Sequence, residues 1–149
     1  MQESIQTYIK RRLKHLEKLL LEFRDSGDSK QLHGIRIEIK KIKAVLELIK
    51  YNDNGFNFHK TYRPFSVIFK ACGSIREKQI MYALARKNHM NKLPAPPDHS
   101  DEIGKLRLDM PDYIKMLRSI GKLVIKDAAH IDADTYKQYI TKKLKQIRK

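Results

Sequence analysis

The chain has 149 residues, with 32 Lys and Arg against 17 Asp and Glu, a formal charge of +15. That length, with 41% hydrophobic residues, suits one domain with a real core. Only six Gly and five Pro, abundant Leu, Ile, Lys and Glu, and no block of alternating Val and Thr argue against a sheet and for an all-α protein. A compact domain at this charge repels itself unless an anion offsets it, which excludes neutral packaging and leads us to expect a polyanionic partner.

The single cysteine, Cys72, excludes an internal disulfide framework, fits a reducing cytoplasm, and is expected to pack in the interior. The N-terminal stretch has no apolar segment of signal-peptide length. The longest apolar runs, Leu19-Leu20-Leu21 and Leu123-Val124-Ile125, are far too short to span a bilayer. The expectation is a soluble, cytoplasmic protein without membrane insertion.

The first predicted helix covers residues 4 to 24, where Ile5, Ile9, Leu13, Leu16, Leu20 and Phe23 recur at helical spacing. Ser4 is its candidate cap and Ser26-Gly27-Asp28 its stop. Ser29 opens the second helix, which runs to about Tyr51 and is broken by the turn residues Asn52-Asp53-Asn54-Gly55. The third is expected from Arg63 or Pro64 to Lys87, with Pro64 in its first turn and Gly73 as a bend. Residues 88 to 111, with Leu93-Pro94-Ala95-Pro96-Pro97, read as a connection. The fourth helix is placed from Asp109 or Asp112 to Asp127, with Pro111 in its first turn. The fifth, capped by Asp132 or Asp134, carries Ile140, Leu144 and Ile147 as its stripe. Short loops between long amphipathic helices favour an antiparallel bundle of four to five helices in one domain.

In the second helix, His33, Arg36, Lys40 and Lys43 fall within one sector roughly 80° wide, at about 100° per residue. Leu32, Ile35, Ile39, Ile42 and Leu46 flank that sector on one side, and Ile37, Ala44 and Leu48 on the other. A surface helix ordinarily sets its charges opposite one apolar stripe. Cations between two apolar flanks suggest a groove whose charged floor requires an anion, because unpaired buried cations are costly. The plainer alternative is structural: Lys43 pairs with Glu47 one turn on, Arg36 meets an acid on another helix, and Arg76 pairs within the turn of Glu77.

The pattern His33-x-x-Arg36-Ile37-x-x-Lys40-Lys41-x-Lys43 resembles the signature of the CHAD family, the histidine-bearing α-helical domain, close to H-x-x-R-V-x-x-K-R-x-R. Downstream, Cys72-Gly73-Ser74-Ile75-Arg76-Glu77-Lys78-Gln79-Ile80 is similar to that family's L-G-x-x-R-D-x-Q-V element. The match covers residues 29 to 82. Lys43 stands where arginine is usual and Glu77 where aspartate is usual. Larger members carry two helical halves, and no second H-x-x-R follows here, so a first half or a short member is expected.

The resemblance implies non-catalytic binding of inorganic polyphosphate in a basic groove, with association to polyphosphate granules. By that implication His33, Arg36, Lys40, Lys43 and Arg76 form the site, and Lys41, Lys78 and Arg12 are secondary candidates. The chemistry is coherent, because a flexible chain of anions rewards a line of cations along a helix. Arginine forks onto two phosphate oxygens while lysine supplies adaptable point charge.

Other chemistries lack their markers. There is no G-x-x-x-x-G-K-[ST] loop and no G-x-S-x-G elbow. The six histidines never pair at i, i+4, so no zinc site or other cofactor is expected, and the acids form no clear catalytic pair. A binding module therefore fits better than an enzyme. The alternative is a nucleic-acid-binding domain that uses its diffuse basic surface, although Tyr8, Tyr62, Phe65 and Tyr82 fall on packing faces rather than among exposed cations. A third reading gives the C-terminal basic helix a membrane-surface contact. If a second half is missing, Leu144 and Ile147 would be exposed and a homodimer would cover them.

Overall fold

The computed structural model describes residues 4–88 and 99–148. Five helices and no strand occur among the described residues: α1 (Ile5–Ser26), α2 (Lys30–Asn52), α3 (Phe58–Lys87), α4 (Ser100–Ala128) and α5 (Ala133–Arg148). Ser4 caps α1 through its hydroxyl, which accepts from the Thr7 amide at 3.1 Å. Gly27 ends that helix with φ 66°, a left-handed conformation that only glycine adopts without penalty, and its N–H donates to the Phe23 carbonyl. Ser29 occupies the cap position of α2 without a side-chain bond. The neighbouring Asp28 carboxylate accepts from the Lys30 amide instead. Asp53 folds the α2–α3 turn by accepting from the Gly55 amide. Asp132 rather than Asp134 caps α5, accepting from the Thr135 amide at 2.7 Å.

The first four helices form an up-down-up-down ring in which each packs antiparallel on the next and α4 returns to α1. Arg12 of α1 meets Glu38 of α2, and Lys78 of α3 meets Glu102 of α4. On the closing face, Gln6 donates to the Ile125 carbonyl, Arg118 binds Glu17, and Arg107 donates to the Arg24 and Asp25 carbonyls at the end of α1. Ile9, Leu16, Leu20 and Phe23 from α1 meet Leu32, Ile35, Ile39, Ile42 and Leu46 from α2, Phe65, Ile68, Cys72 and Ile75 from α3, and Met110, Ile114, Leu117 and Val124 from α4. Each such Leu, Ile or Phe contributes about 1.5–3 kcal/mol when fully buried. No helix among the described residues is long and apolar enough to cross a membrane.

Two helix starts differ from the sequence expectation. The third helix begins at Phe58 rather than at Arg63 or Pro64, and the fourth at Ser100 rather than at Asp109 or Asp112, so both Pro64 and Pro111 lie inside helices. In α3, Asn57 supplies a cap to the Lys60 amide ahead of the proline, and Phe58 and Tyr62 pack on the core, so the extra turns gain contacts that offset the lost hydrogen bond. In α4, Ile103 and Leu106 do the same. The expected connection of residues 88–111 is therefore helical from Ser100 onward, and its Leu93–Pro97 segment lies outside the described residues.

Candidate functional site

The cationic stripe of α2 divides at the helix seam. Arg36 and Lys43, on the edge of the sector nearer the core residues Ile35 and Ile42, are half-buried against α3, while His33 and Lys40, on the other edge, are exposed. An 80° sector is wider than one seam, so only its inner edge meets the neighbouring helix. The second expected apolar flank is not a wall: Leu48 is buried, but Ile37 and Ala44 are exposed.

Both inner cations lie on aromatic rings of α3. The Arg36 guanidinium carbon is 4.4 Å from the Phe69 centroid, and Lys43 Nζ is 5.4 Å from that of Tyr62. Seven residues back along α2 correspond to seven residues forward along α3, the heptad register of an antiparallel pair. Gly73, one turn past Phe69, also lies against Arg36; a methyl group there would lie 3.4 Å from the guanidinium, at ordinary contact. Arg76 stands a further seven residues beyond Phe69 on the same face of α3. The same register sets it opposite Ser29, at the start of α2.

The Nε atoms of Arg36 and Arg76, like that of Arg12, are buried and have no hydrogen-bond partner, but Arg12 pairs with Glu38 through its Nη1. Neither Arg36 nor Arg76 forms an ion pair with an acid among the described residues, and neither do His33, Lys40 or Lys43. The expected alternatives, Lys43 with Glu47, Arg36 with an acid on another helix and Arg76 within the turn of Glu77, are therefore not what this structure contains. A cleft of about 360 Å³ opens beside Arg36, lined also by Phe69, Lys70, Ser74, Glu77 and Lys78.

The secondary candidates are held differently. Arg12 binds Glu38 at 3.0 Å, Lys41 approaches the same carboxylate at 3.8 Å, and Lys78 binds Glu102 at 3.1 Å. The Lys78 hydrogen bond and charge also hold the Glu102 carboxyl below its ordinary range. Glu38, only 3% exposed, also lies 2.9 Å from His15 Nδ1, so two cations and a histidine converge on one buried acid between α1 and α2. Sequence reasoning missed this cluster, because Glu38 sits in a run of charges that reads as a solvated face.

Titration around the seam follows burial. The Cys72 thiol is pushed up to about 12 by burial, with the Arg36 charge pulling the other way, which places that charge near the thiol. The Tyr62 phenol is raised by burial and then by the charge of Glu47. Among the described residues no group of three or more His, Cys, Asp or Glu gathers as a metal site requires. No protein-family model matches the chain, no curated protein matches it, and no solved structure matches it.

Proposed function

We propose that this CHAD-like bundle binds inorganic polyphosphate without catalysis, along the α2–α3 seam, through His33, Arg36, Lys40, Lys43 and Arg76. The observation that carries the reading is the pair of arginines on facing helices, each with a buried Nε that lacks a partner and, unlike Arg12, with no acid paired to its guanidinium among the described residues. A buried donor left unpaired costs about 1–3 kcal/mol, so an anion that accepts from both gains what the free protein forgoes. Phe69 and Gly73 both lie against the Arg36 guanidinium, which spares the ligand part of the cost of ordering a long side chain.

The exposed outer edge, His33 and Lys40, extends the seam into a cationic strip about 15 Å long from residue 33 to residue 43. A polymer of phosphates exploits such a strip along its length, whereas a single phosphate would satisfy only one end. Association with polyphosphate granules in the cytoplasm follows as part of the same reading. Lys78, Lys41 and Arg12 contribute field rather than contact, because each already has a carboxylate partner.

Titration of long-chain polyphosphate into Arg76→Ala and Lys78→Ala, followed by calorimetry, tests the distinction. The seam reading expects about a tenfold loss for the first and less than about threefold for the second. Equal losses would assign the binding to overall charge.

A further inference from the structure

The fifth helix sits apart from the core, and its attachment fixes which face it turns outward. It meets the bundle at the end of α2, where the Tyr139 hydroxyl donates to Glu47 at 3.3 Å and the Tyr139 ring lies 5.5 Å from that of Tyr51. Lys142 and Lys143 sit over the same two rings at 5.4 and 5.6 Å. No described side chain of α5 is buried. Tyr136 and Ile140 instead occupy a different face, about 60° and 100° round the helix from the Tyr139 contact, and are 42% and 37% exposed. Lys137 and Lys143 lie on its two sides, and no acid follows Asp134 before the end of the chain.

We infer that α5 is a docking helix for an anionic lipid surface, lying in the interface with the Tyr136–Ile140 stripe inserted and its flanking lysines among the headgroups. Charge complementarity selects this occupant. A second copy would bring one lysine-rimmed stripe against another within a chain of charge +15. A phosphate polymer would engage the lysines but leave the apolar stripe in water. Lysines on both sides of a narrow apolar face, with tyrosine beside it, are what a helix in the plane of a bilayer requires: stems run along the apolar boundary and ammonium groups reach the phosphates. The site is separate from the α2–α3 seam, since α5 touches only the far end of α2.

Flotation of the full chain with phosphatidylcholine vesicles, with and without phosphatidylserine, tests this. The expected result is binding to the anionic vesicles only, reduced about tenfold or more in Tyr136→Ser/Ile140→Ser, with the same melting temperature because both residues are exposed. Arg36→Ala/Lys40→Ala should float as the parent does. Three results would each overturn the inference: no binding to anionic vesicles, equal binding by the stripe variant, or a concentration-dependent dimer in light scattering that the stripe variant abolishes. The last would assign the face to a second copy.

Discussion

The Arg36 guanidinium carbon lies over the Phe69 ring, 4.4 Å from its centroid, and the buried Arg36 Nε has no partner. Stacking of this kind contributes about 0.5–2 kcal/mol and orients the fork without neutralising it. Arg36→Lys keeps the charge but loses the plane and the paired donors. Polyphosphate affinity should fall about fivefold or more in calorimetry while the salt dependence of binding stays the same, because the number of cations is unchanged. A lysine variant that binds as tightly would show that position 36 supplies only point charge.

Glu38 holds Arg12 and His15 and lies within 3.8 Å of Lys41, while itself almost wholly buried. Removing it as Glu38→Ala leaves the Arg12 side chain without its acid at the α1–α2 seam. The cost should be about 2 kcal/mol in urea unfolding, below that of a fully buried pair because His15 is half exposed and Lys41 reaches water. Combined with Arg12→Ala, the loss should be less than the two single losses added.

How far the sequence discloses this molecule depends on the range of each interaction. Ser4, Gly27 and the apolar spacing of α1 and α2 act within a turn or two, and those elements form where the pattern places them. Pro64 and Pro111 mislead, because a proline inside a helix and one in its first turn leave the same local trace. What separates them is whether the residues ahead pack, as Phe58, Tyr62, Ile103 and Leu106 do. Within the candidate site, the common face of Arg36 and Lys43 is legible from period alone. Their seating on Phe69 and Tyr62 depends on the α2–α3 register, which no local signal specifies. The acids that hold Arg12 and Lys78 lie 26 and 24 residues away in the chain, beyond any helical spacing rule.

Alkaline pH should weaken the fold. Burial raises the Cys72 thiol from 9.0 to about 12, and Tyr139 rises from 10.0 to about 12 through burial and then the charge of Glu47. Both groups are neutral when protonated, so above about pH 9 the unfolded chain releases protons that the folded chain retains, and stability falls as pH rises. Thermal melts from about pH 7 to pH 11 should be level on this account at the low end and decline beyond about pH 9. Tyr139→Phe should make the upper part of that decline shallower. The Cys72 thiol should also resist alkylation at neutral pH until denaturant is added.

The most direct measurement is a calorimetric titration of the parent chain and Arg36→Ala/Lys40→Ala with long-chain polyphosphate and, separately, duplex DNA, at equal phosphate concentration and physiological salt. The account predicts a clear preference of the parent for polyphosphate, lost in the double variant, with a melting temperature that is unchanged or higher because no acid is stranded. Equal, salt-sensitive binding of both polymers that the double variant leaves intact would contradict it, and would mean that the charge of +15 acts as a diffuse surface for nucleic acid.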